Sequence, residues 1–214
     1  MELFLNDKLG KITLETDLAS KPKAIIILAH GAGAGMHHSD IIHISEKLTD
    51  SHFHCVRFNF PYMEQGKKSP GSPKHNIACW QYVIDFIQSQ FEDLPLFISG
   101  KSYGGRMVSH LISENDTIKV SGLIYFGFPL HAPGKDSKDR ATHLNKVKIP
   151  QLFLQGERDK LANIELIREV VNDLENAQLV EIEYADHSFN VPKKSGFTKQ
   201  EIISKLILEI KRWI

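Results

Sequence analysis

The chain has 214 residues, 42% of them hydrophobic and 24% charged, a balance that excludes a disordered or membrane-embedded protein and allows one sizeable core. Lys plus Arg and Asp plus Glu number 26 each, so no long-range field draws nucleic acid or an acidic membrane surface. No basic run is long enough to supply a local patch, and we expect neither partner.

In chain order, "ELFLN" and "KITLET" flank "DKLG", which predicts an antiparallel hairpin at a sheet edge. The "MELFLNDKLG" start lacks the basic region and apolar core of a signal peptide. "AIIILAH" (24–30) is a strand, and its aliphatic run is far too short to cross a bilayer. A helical period over 39–49 follows, then a strand over 53–60 and a Gly-, Pro- and Lys-rich loop over 61–75 expected to be flexible. Next come a helix over 75–91, a strand over 94–100, a helix over 103–114 and a strand over 120–128. A second flexible loop is expected over 129–138, leading into the helical "DRATHLNKV". The remainder reads as strand 150–156, helix 161–175, strand 178–185 and helix 198–214, the last opening with a Thr198–Glu201 capping box.

The central runs are apolar without polar alternation, as strands buried on both faces are. Alternating with helices, they predict an α/β fold with a mostly parallel central sheet flanked by helices, spanning residues 1–214 as one domain. About a dozen residues separate "YFGF" from "DRATHLNKV", too few for a cap domain. Cys55 lies in an apolar strand and Cys79 in a helical stretch, so both read as buried thiols of a reducing compartment, and the expected location is the cytoplasm.

The chemistry centres on Gly100-Lys101-Ser102-Tyr103-Gly104, a G-x-S-x-G at a strand-to-helix turn. Small residues on both sides of a nucleophile let the backbone turn sharply and lift its Oγ above the sheet. A serine hydroxyl needs a base to take its proton, and the base needs an acid to hold its tautomer. Asp159, beyond "PQLFLQG", and His187, beyond "LVEIEY", supply both in the order Ser, Asp, His. Glu157 and Asp186 compete for the acid role. After the first central strand, His30-Gly31-Ala32-Gly33 reads as a glycine-rich oxyanion loop, with the backbone N–H groups of Ala32 and Tyr103 as donors and Gly31 and Gly33 beside the substrate.

The strings "HGAGAGM" (30–36), "RFNFPY" (57–62), "GKSYGGRM" (100–107), "GFPLHAPGK" (127–135), "LFLQGERD" (152–159) and "ADHSF" (185–189) run in order over about three quarters of the chain. Together they resemble small α/β-hydrolases of the dienelactone-hydrolase-like clan. The similarity is greatest to a subgroup that in animals includes a testis-expressed protein and a subunit of a histone-acetyltransferase regulatory complex. The resemblance implies the α/β-hydrolase fold and a Ser-Asp-His site. Dienelactone hydrolases carry Cys as nucleophile, so their substrate does not transfer to a chain with Ser102.

Several residues have a second reading. His30 is read as a residue bracing its loop rather than as a second base. His37, His38 and His43 lack the spacing of a metal site, so no metal is expected, and the acyl chemistry needs no cofactor. Arg57, Lys101, Arg106 and Arg158 are either structural ion-pairing groups or contacts to an anionic substrate, and we favour the former. Phe128, Leu130 and His131 either line an acyl or alcohol pocket or form a rigid loop cover. The expected activity is a serine hydrolase cleaving an ester, thioester or other activated acyl bond of a small-molecule substrate. The alternative is a non-catalytic scaffold using the same fold to bind protein, which the resemblance permits but no residue indicates.

Overall fold

The computed structural model describes all 214 residues. Strands β1 (Glu2–Asn6) and β2 (Gly10–Asp17) form the N-terminal hairpin, whose turn is closed by the Asn6 side chain accepting from the N–H groups of Lys8 and Leu9 at 3.0 and 2.9 Å. The other strands are β3 (Ala24–Ala29), β4 (Phe53–Phe58), β5 (Leu96–Lys101), β6 (Gly122–Phe126), β7 (Gln151–Gly156) and β8 (Ala177–Ile182). All eight join one sheet in the order β1-β2-β4-β3-β5-β6-β7-β8. β2 runs antiparallel to both of its neighbours, and every pairing from β4 to β8 is parallel. The expected sheet with its edge hairpin is what the chain forms.

Six helices complete the fold: α1 (Ser39–Asp50), α2 (Pro61–Glu64), α3 (Pro73–Gln90), α4 (Tyr103–Glu114), α5 (Ile164–Asn172) and α6 (Lys199–Trp213). Successive strand residues point to opposite faces, and each face has its own apolar layer. Ile25, Ile27 and Ala29 of β3 pack on the side of α3, α4 and α5, while Ala24, Ile26 and Leu28 pack on the side of α1 and α6. Every residue of β3 to β7 is buried, which is why those segments carry no polar alternation. β8 departs from that expectation. It is the outer strand, half-exposed over most of its length, and it ends at Ile182 rather than 185.

The two loops expected to be flexible are partly built. Pro61 opens the single turn α2, where its missing N–H costs nothing, and Tyr62 is buried there. Residues 139–147 form no α-helix but two 3-10 turns, Asp139–Ala141 and Leu144–Lys146. The buried residues Ala141, Leu144 and Val147 recur every three positions, the period of a 3-10 helix. No further domain is inserted there. α5 starts at Ile164, later than the expected 161, because Asn163 accepts from the Glu165 N–H and caps the helix. The Thr198–Glu201 capping box opens α6 as expected.

Candidate active site

The loops after β3, β5, β7 and β8 meet at the carboxyl ends of the parallel strands, where open α/β sheets hold their ligands. There the chain turns from β5 into α4 through Ser102, whose φ of 50° and ψ of −112° are rare for a residue with a side chain. The turn is tight. A Cβ on Gly100 would lie 2.2 Å from the Gly105 nitrogen, and one on Gly104 would lie 2.7 Å from the His30 carbonyl oxygen. Only glycine at both positions lets the strand, the helix and the β3 loop pack this closely.

Ser102 Oγ lies 2.8 Å from His187 Nε2, and His187 Nδ1 lies 2.6 Å from Asp159 Oδ2. The Nδ1 proton donated to the carboxylate leaves Nε2 free to accept from the serine. Asp159 is almost fully buried and also accepts from Gln155 Nε2 at 2.6 Å and from the Leu161 N–H at 2.7 Å. The competing acids are engaged elsewhere. Asp186 closes its own turn by accepting from the N–H groups of Ser188 and Asn190, and Glu157 accepts from the Tyr184 N–H.

Across Ser102, Gly31, Ala32 and Gly33 line a cleft of about 270 Å³ with Ile41, Lys101 and His187. The Ala32 N–H has no backbone partner, and Tyr103, as the first residue of α4, has an N–H with none inside the helix. Three side chains and one main-chain group, from the end of β4 and the residues just beyond it, hold this loop. Arg57 donates to the Met36 carbonyl, Asn59 accepts from the Met36 N–H, the Phe60 N–H donates to His30 Nε2, and Tyr62 donates to the Ala32 carbonyl. His30 in turn donates from Nδ1 to the Gly31 carbonyl, and burial holds its pKa down to about 4, so it stays a neutral brace, as expected from the sequence. The braces Asn59, Tyr62 and Gln155 were not singled out from the sequence. Their signal, polar residues at the ends of apolar strands, becomes readable only with the loops in place.

Phe128, Leu130 and His131 do not line this cleft, which corrects the pocket reading. Gly127, at φ +71°, turns the chain downward after β6, so Phe128 and Leu130 enter the core. His131 is buried, donating to the Ala132 carbonyl and accepting from the Asn163 N–H. Of the cationic group, Arg57 is buried against Asp17 and Glu15, and Arg158 donates to the Tyr184 carbonyl. Lys101 donates to the His187 carbonyl and lies over the Phe189 ring at 5.0 Å. Burial pushes its ammonium down to about 8, opposed by the carboxylates of Asp159 and Asp40. Arg106 has no such partner. His37 pairs with Glu15, and His38 caps α1. A larger hollow, about 540 Å³, opens at the opposite ends of the strands around Gln88 and Phe91, away from Ser102 and His187. Chemistry, not size, selects the smaller one.

Residues 22–214 match the family described as Alpha/beta hydrolase domain. The chain belongs to that family. Its fold is shared, at sequence identities too low to carry more than the fold, with a dienelactone hydrolase from Anabaena variabilis (TM-score 0.80, 16% identity, 100% of this chain and 94% of that one). It is likewise shared with an alpha-beta serine hydrolase homologue from Coxiella burnetii (0.78, 17%, 98% and 96%) and a serine hydrolase without lid from Xanthomonas campestris (0.75, 19%, 100% and 94%). In sequence, this α/β-hydrolase chain is 25% identical over 111 residues to the phospholipase YtpA of Bacillus subtilis. That match covers 50% of this chain and 40% of the phospholipase. No helix is long and apolar enough to cross a membrane.

Proposed function

We propose that this α/β-hydrolase chain is a serine hydrolase that cleaves an ester, thioester or similarly activated acyl bond. The observation that carries the reading is the unbroken chain from Ser102 Oγ through His187 to the buried Asp159 carboxylate, at 2.8 and 2.6 Å. Three separate strand ends contribute to it, so local sequence alone does not produce it. Ser102 attacks the acyl carbon while His187 Nε2 takes its proton, and Asp159 orients the ring and offsets the imidazolium charge. The N–H groups of Ala32 and Tyr103 receive the oxyanion. His187 then returns the proton to the leaving alcohol or thiol, and water, deprotonated by the same ring, releases the acid from Ser102. The cleft lies open, with two 3-10 turns where relatives with lids carry a cap, which suits a small substrate or an exposed acyl group on a larger one.

We further read residues 1–214 as one catalytic domain of the dienelactone-hydrolase-like subgroup named above, on the strength of its motif string. We place it in the cytoplasm because both cysteines are free and buried, their thiols pushed upward by burial. Turnover of 4-nitrophenyl acetate and of an acyl thioester tests the catalytic reading. Ser102→Ala and His187→Ala should each lower kcat by about 10³-fold or more. Equal turnover by folded Ser102→Ala protein would refute it.

A further inference from the structure

The cleft at Ser102 has a polar wall that the acyl chemistry does not use. Gly31, Ala32, Gly33, Ala34 and Ile41 give the cleft small or apolar surface, whereas His38, Asp40 and Ser188 bring polar side chains to it. Asp40 is only 9% exposed and stands in the first turn of α1, where the helix N-terminus favours its ionised form. Its Oδ1 pairs with Nζ of Lys199, the first residue of α6, at 2.6 Å. Its Oδ2 accepts nothing from the protein, and His38 Nδ1 lies 3.9 Å from it, too far for a hydrogen bond. The one side-chain polar atom sealed without a partner is Arg106 Nε, so Oδ2 meets solvent beside the cleft that Asp40 lines. The neighbouring groups are also unengaged. His38 accepts from the Asp40 N–H through Nδ1, which puts its ring proton on Nε2, where no protein group takes it. Ser188 donates its N–H to Asp186 and leaves its hydroxyl unbonded.

Charge decides what fits this wall. An anionic group would meet the Asp40 carboxylate, and a cationic one would meet the ammonium groups of Lys199 and Lys101, which already face that carboxylate. A long apolar chain would strip water from an oxygen that has no other partner, which is costly for a charged group. A neutral hydroxyl suits all three neighbours. It donates to Asp40 Oδ2 and accepts from His38 Nε2 or Ser188 Oγ, and a hydrogen bond to an ionised acceptor is among the stronger kinds. We propose that Asp40 determines the specificity of this cleft, and that the substrate is a short ester carrying a free hydroxyl group that donates to Oδ2. The inference deepens the hydrolase reading and rests on it. The competing role for Asp40 is a tie between α1 and α6 through Lys199, and the two roles respond differently to substitution.

Two pairs of esters test this and tell where the hydroxyl sits. Ethyl 3-hydroxybutanoate against ethyl butanoate places it in the acyl group, and 2-hydroxyethyl butanoate against propyl butanoate places it in the leaving alcohol. In at least one pair the hydroxylated ester should exceed its partner in kcat/KM by about tenfold or more, as one hydrogen bond to a charged acceptor permits. Asp40→Ala should bring that ratio near one, and Asp40→Asn, which keeps a carbonyl acceptor, should retain part of it. Lys199→Met removes the tie to α6 but not Oδ2, so it should lower Tm while the ratio stays. Ratios near one in both pairs overturn the proposal. So does a loss of preference in Lys199→Met equal to that in Asp40→Ala, which would make Asp40 a tie between helices only. Inactivity toward all four esters overturns the hydrolase reading instead, and binding of the same esters to Ser102→Ala protein then decides the role of Asp40. There the hydroxylated ester of one pair should bind about tenfold more tightly than its partner. Equal binding within both pairs refutes the proposal.

Discussion

Ser102 occupies a left-handed backbone that a Cβ opposes, and strain of this kind costs on the order of 1 to 3 kcal/mol. The sequence displayed the elbow through its glycines, but the strain is a property of the folded turn. Ser102→Gly should therefore be more stable than Ser102→Ala by about 1 kcal/mol or more, with both inactive. Denaturant midpoints of the two variants measure it, and an alanine variant as stable as the glycine one would contradict the strained elbow. Arg106 illustrates the opposite limit of legibility. Its type and motif position were visible, yet its lack of a partner depends on where Glu15, Asp17 and the Tyr184 carbonyl fall in space, since these serve Arg57 and Arg158 instead.

Between elements, the site depends on how strand ends are tied to one another. Lys101, the last residue of β5, reaches the carbonyl of His187 beyond β8, across β6 and β7. That one contact links the nucleophile's strand to the base's loop. Lys101→Met should lower kcat by about tenfold with KM nearly unchanged, since a small displacement of a positioned base is enough for such a loss. A parallel rise in KM without loss of kcat would assign Lys101 to substrate binding. The strands and most helices were legible because full burial and helical period write themselves into apolar spacing. The failures have local causes. Residues 139–147 are too short to show a period clearly, β8 is an edge strand with a half-buried pattern, and "GFPLHAP" hides two core anchors, Phe128 and Leu130, behind loop chemistry. The Ser, Asp and His positions were legible through motif order, whereas their braces Gln155, Tyr62 and Asn59 lie within the strings "LFLQGERD" and "RFNFPY" without any spacing that marks them as braces.

At the scale of the whole molecule, charge is balanced, and the pH response comes from buried and half-buried histidines. His30, His54, His110 and His143 all have pKa values lowered chiefly by burial, to about 4 for His30. Each is depressed in the folded state, so the unfolded chain takes up protons first as pH falls below about 6.5. Folding stability should therefore drop between pH 6.5 and 4, with His30 alone contributing about 2 kcal/mol of loss by pH 5. Urea midpoints at pH 7.5 and 5 measure this, and equal midpoints would contradict the buried neutral brace under the oxyanion loop. The central claim is that Ser102 is an activated nucleophile. Its most direct test is labelling of the purified protein with a fluorophosphonate, the adduct being located by peptide mass spectrometry beside Ser102→Ala and His187→Ala. The account predicts an adduct on Ser102 that disappears in both variants. A folded protein that remains unlabelled, or is labelled as well without His187, would contradict it.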